Sequence, residues 1–148
     1  MHANAHEIER LQNLIACAGA NAEAYREAAS DAAGQRTAAS LEHRAQERAA
    51  VVAHLRHYLH EAGADATVPS SAPPWPTEPI ARAEPPTDIE MVEAAGRDEA
   101  ELQAAFEAVL DDDTLSAPAR EAVLKAYIAV RTGGDQMRDL RRALRAGA

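Results

Sequence analysis

A chain of 148 residues is the usual size of one domain, which buries roughly 70% of the surface its unfolded chain exposes. Although 47% of the residues are hydrophobic, a quarter of the chain is Ala, and 1 Phe, 1 Trp and 3 Tyr supply little large apolar surface, so long helices packed through small side chains are expected. The net charge of −9 speaks against nucleic acid and anionic membranes as partners, the lone Cys17 excludes an internal disulfide, and no apolar leader or membrane span is evident, so a cytoplasmic protein is expected.

The first helix is predicted from Ile8, Leu11, Ile15, Ala18, Ala22, Tyr25 and Ala29, whose steps of three and four line one face. It ends near Gly34 in a short turn. The second carries Leu41, Ala45, Val52, Leu55 and Leu59 and stops at Gly63, a good C-terminal cap residue. A short loop between long helices implies an antiparallel hairpin. The composition then changes: the linker, about residues 64–87, holds seven of the eight prolines and cannot continue a helix. Extended at about 3.1 Å per residue, it is long enough to cross the bundle, with Trp75 expected to pack it down. Thr87 or Asp88 caps a third helix with the stripe Ile89, Val92, Ala95, Leu102, Phe106 and Val109. DDDTLSAP interrupts it. Ser116 caps a fourth helix with Pro118 in its first turn and the stripe Val123, Tyr127, Val130, Met137 and Leu144. The basic residues near its end, Arg138, Arg141, Arg142 and Arg145, complement the helix dipole. The expected fold is all-α: one domain over 1–148, a four-helix bundle of two hairpins joined by a long proline-rich crossover, as in ferritin-like folds.

The run LQNLIACAGANAEAYREAAS, the segment HRAQER and the closing AVRTGGDQMRDLRRAL resemble an uncharacterised bacterial ferritin-like four-helix-bundle family, a domain of unknown function. The resemblance implies a bacterial, soluble, ferritin-like bundle and brings no established reaction. Against the family pattern, His43 and His54 stand where glutamates are usual, and Gly134 where a histidine is usual.

A di-iron or di-manganese bundle needs inward carboxylates from all four helices and two Glu-x-x-His pairs. No Glu-x-x-His occurs in this sequence. Glu23 and Glu27 should face solvent, Glu47 lies at the edge of its stripe, and Ala50 follows three residues later. The inward acids are Asp98 and Glu99, between Ala95 and Leu102; opposite them stand Gly133 and Gly134. Arg44 and Arg48 project toward the core and are expected to pair with these acids in a buried ion-pair cluster. His54, His57 and His60, each three residues from the next, fan around the helix: His54 at the stripe's edge, His57 and His60 on the surface with weak affinity for transition metals. His2 and His6 are a similar surface pair. Asp111, Asp112 and Asp113 lack the Gly and terminal Glu of a calcium loop and read as a charged turn. Cys17 has no recognisable catalytic His.

The leading expectation is a non-enzymatic binding or structural module without cofactor, with a homodimer as the assembly considered. One alternative is a metal-binding protein holding iron, manganese or zinc at an unconventional site of Glu47, His54 and Glu99. Another is an adaptor whose PPWP segment is a polyproline ligand for a partner domain.

Overall fold

The computed structural model describes residues 4–64 and 86–147. The linker expectations, Trp75 and PPWP among them, lie outside the described residues, as does His2. Among the described residues there are four helices and no strands: α1 Ala5–Asp31, α2 Gln35–Glu61, α3 Asp88–Leu110 and α4 Ala117–Ala146. No described helix is long and apolar enough to cross a membrane.

The helix ends follow from local chemistry. Asn4 caps α1 by accepting the Glu7 amide. Thr87 and Glu90 form a reciprocal capping box on α3, and Ser116 caps α4 with Pro118 one residue inside. At the end of α2, Gly63 takes φ 79°, while Ala64 N–H donates to Leu59 and Gly63 N–H to His60, the paired bonds of a Schellman motif. Gly34, the first flanking residue of α2, has no capping side chain of its own. Asp88 serves instead, accepting the amides of Ala33 and Gly34 at 2.8 and 2.9 Å.

That contact also fixes the topology. It sets the start of α3 beside the start of α2, while Asp112, just past α3, is bonded to His6 and Arg10 at the start of α1. The helices pair as α1 with α2, α3 with α4, α2 with α4 and α1 with α3. Adjacent helices are therefore antiparallel, and α2 and α3 run parallel across a diagonal. With 27 residues, α2 is about 40 Å long, so Ala64 and Pro86 lie near opposite ends of the bundle.

Two apolar clusters fill the interior. The larger includes Leu11, Ile15, Leu55, Leu59, Phe106, Val123 and Val130; the smaller, toward the other end, comprises Tyr25, Leu41, Ala45, Val92 and Met137. Most stripe residues expected from the sequence are buried, and Ile8, Ala29, Ile89, Ala95, Tyr127 and Leu144 are partly so. Leu14, Cys17, Asn21 and Glu7 are buried as well.

Candidate functional site

The two apolar clusters are separated by a polar layer to which every helix contributes at the same depth. In α1, Asn21 lies between Ala18 of the larger cluster and Tyr25 of the smaller; in α2, Arg48 lies between Val51 and Ala45. In α3, Glu99 lies between Leu102 and Val92, and in α4, Gly133 and Gly134 lie between Val130 and Met137. Helical spacing carries one residue of each stripe to this level.

Arg48, fully buried, is the centre of the layer. Its Nη2 donates to Glu99 Oε1 at 2.5 Å and to the Val130 carbonyl at 3.3 Å, and its Nε to Glu99 Oε1 and Asn21 Oδ1, both at 3.1 Å. Nη1 reaches Glu47 Oε1 at 3.4 Å. Glu47 is half-buried and joins Arg44 through Oε2 at 2.8 Å. Two guanidiniums thus face two carboxylates, which lets the charges stay in the interior. Tyr25 donates to Glu99 Oε1 at 2.5 Å, and burial, followed by the Glu99 charge and hydrogen bond, pushes its hydroxyl far above the ordinary tyrosine range. It remains a proton donor throughout the working pH range.

The glycines make room for these groups. A Cβ on Gly133 would collide with Arg48 Nη2 and stand 3.0 Å from Glu47 Oε1. One on Gly134 would collide with the Gln103 amide and stand 3.6 Å from Glu99 Oε2. Side-chain polar groups, rather than a neighbouring helix backbone, are what these glycines accommodate.

Other sequence candidates fall elsewhere. Asp98, expected beside Glu99 on the inner face, is only half-buried and makes no ion pair with Arg44 or Arg48; one residue carries it about 100° around the helix. Burial raises its pKa, with Glu101 adding to the rise and Arg97 opposing it. His54 is half-buried with Nε2 3.2 Å from the Ala122 carbonyl, whereas His57 and His60 are exposed, as are Glu23 and Glu27. Cys17 is buried.

His6 is exposed, its Nε2 lies 2.6 Å from Asp112 Oδ2, and Arg10 donates to the same oxygen at 3.1 Å. Asp112 also accepts the Thr114 hydroxyl and amide, so DDDTLSAP is an anchor for α1 as well as a charged turn. Glu7 adds to it by accepting the Ser116 amide, and Arg120 by donating to the Leu110 and Asp112 carbonyls. Sequence reasoning missed Glu7 and Asn21 because a lone polar residue in an Ala-rich helix reads as surface.

Among the described residues, Glu47, His54 and Glu99 are not arranged as a metal centre. Glu47 and Glu99, the carboxylates that would coordinate it, both have Arg48 against them, and His54 is turned to Ala122. Among the described residues no three His, Cys, Asp or Glu side chains gather closely enough to hold an ion. No protein-family model and no curated protein matches the chain.

Proposed function

We propose that this protein is a non-enzymatic, ferritin-like four-helix bundle that serves as a binding or structural module. The observation that carries the reading is the Arg48 guanidinium at the centre of the polar layer, bonded to Glu99 and in contact with Glu47. A fixed cation there repels a second one, and Arg stays protonated at any working pH. The ferritin-like part is supported by the parallel, diagonal placement of α2 and α3, which requires a connection running the length of the bundle. Residues 65–85 at about 3.1 Å each are long enough for it.

Elemental analysis and iron-oxidation kinetics of protein purified without a histidine tag test the reading. The expected result is no stoichiometric iron, manganese or zinc and no ferroxidase activity. One or two tightly held ions per chain, lost in Glu99→Gln or His54→Ala, would overturn it in favour of a metal-binding bundle.

A further inference from the structure

A cleft of about 350 Å³ opens between α3 and α4, within the roughly 300–1,000 Å³ range of small-molecule sites. Its lining includes Glu99, the carboxylate of the polar layer. Tyr25 and Arg48 both donate to Glu99 Oε1, which leaves the buried Oε2 without a hydrogen-bond partner among the described residues. A buried carboxylate oxygen in that condition favours any donor that reaches it. Oε2 lies toward Gly134, and the Gln103 side-chain amide lies against the same glycine.

One lining position of the cleft is a residue that helices disfavour. It is Gly96, and a Cβ built there would meet nothing within 4 Å. Ala would be the better helix former at that position, so the missing side chain leaves space at a price in helix propensity.

Four arginines also line the cleft: Arg97 from α3, and Arg138, Arg141 and Arg145 spaced three and four apart on α4. Arg145 is matched by Glu93 at 2.5 Å, and Arg138 by Asp135. Arg97 and Arg141 make no ion-pair contact with a described residue. On a chain of net charge −9 this is a local reversal of sign, beyond what complementing the dipole of α4 requires.

We propose that the cleft binds a small phosphomonoester that carries a hydroxyl group, of the polyol-phosphate class. The proposal rests on the binding-module reading and gives it a ligand. A phosphomonoester carries close to two negative charges at neutral pH, which match the two guanidiniums that make no ion pair among the described residues, Arg141 and Arg97, the latter with its charge felt by Asp98, and guanidinium forks suit phosphate oxygens. At the other end, a hydroxyl donates to Glu99 Oε2 while accepting from Gln103 Nε2. An ammonium group, having donors only, would satisfy the first and oppose the second.

The test is calorimetric titration of the full chain at low salt with glycerol 3-phosphate, inorganic phosphate and glycerol as separate probes. Glycerol 3-phosphate should saturate at one per chain and bind at least about 10-fold more tightly than inorganic phosphate, with no heat from glycerol. Arg141→Gln, at the surface, should weaken both phosphate probes about 10-fold or more. Gly96→Leu should fill the cleft and remove binding while the thermal midpoint holds or rises. Absence of binding, affinities for the two phosphates within about two-fold of each other, or unchanged binding in Gly96→Leu would each overturn the proposal. Tightly bound metal would instead overturn the non-enzymatic reading, whereas a failed titration on metal-free protein removes only the cleft ligand.

Discussion

Removing the Arg48 guanidinium leaves Glu99 buried as a charge with Tyr25 as its remaining donor, so Arg48→Met should destabilise the bundle by about 3–5 kcal/mol in urea unfolding. The double variant Arg48→Met/Glu99→Gln should be clearly more stable than the single one, because a neutral amide still accepts from Tyr25 and carries no charge to desolvate. Equal losses in the two variants would show that Arg48 acts through packing alone. Asp112 makes a prediction with a sign in pH. The Thr114 hydroxyl, then His6 and the Thr114 amide, hold its carboxyl below the usual carboxylate range, so the folded pKa is depressed. The stability it contributes is complete above its unfolded pKa of about 3.9 and is lost as pH falls through the folded value. The gap in thermal midpoint between wild type and Asp112→Asn should therefore be smaller at about pH 3 than at about pH 5. A gap that widens on acidification would rule out this account.

At the scale of the element, the four helices end for different reasons, and one of those reasons is not local. Asn4, Thr87, Ser116 and Gly63 act within their own helices, and sequence position is enough to recognise such caps. The start of α2 instead borrows Asp88 from the first turn of α3, across 54 residues of chain. Asp88→Ala should accordingly cost about 0.5–2 kcal/mol, the usual range for losing a cap. Its distinctive sign is faster hydrogen exchange at the amides of Ala33 and Gly34, in α2's own flank. Exchange raised only within α3 would mean that Asp88 acts on its own helix dipole instead.

For the whole molecule, the parallel run of α2 and α3 makes the length of the 65–85 segment more important than its composition. Replacement of these residues by an equally long Gly/Ser chain should preserve helicity and cooperative unfolding, at a loss of about 1–3 kcal/mol from the more flexible unfolded chain. Removing about 14 of them leaves eight Cα–Cα steps from Ala64 to Pro86 and a reach of about 29 Å at most, short of the roughly 40 Å between the ends it joins. The shortened chain should then lose cooperative unfolding or exchange helices between copies, which size-exclusion chromatography and circular dichroism distinguish from the wild type. A shortened monomer of unchanged stability would contradict the helix arrangement.

Sequence alone determined the four described helices, the Thr87, Ser116 and Gly63 caps and the buried face of each helix, because 3.6-residue periodicity and capping chemistry are local properties. Even the polar layer left a trace: the expected stripes jump seven residues from Ala45 to Val52, from Ala95 to Leu102 and from Val130 to Met137. Arg48, Glu99 and the glycines 133 and 134 lie inside those gaps. Tertiary structure decided which charge met which. Glu99 and Asp98 are neighbours in sequence, yet only Glu99 reaches Arg48, since about 100° of helix rotation separates them. It also brought Arg97 of α3 to the same cleft as Arg138, Arg141 and Arg145 of α4. Their meeting depends on how α3 and α4 are rotated and packed, and periodicity fixes the inner face of each helix but not which neighbour lies along its flank.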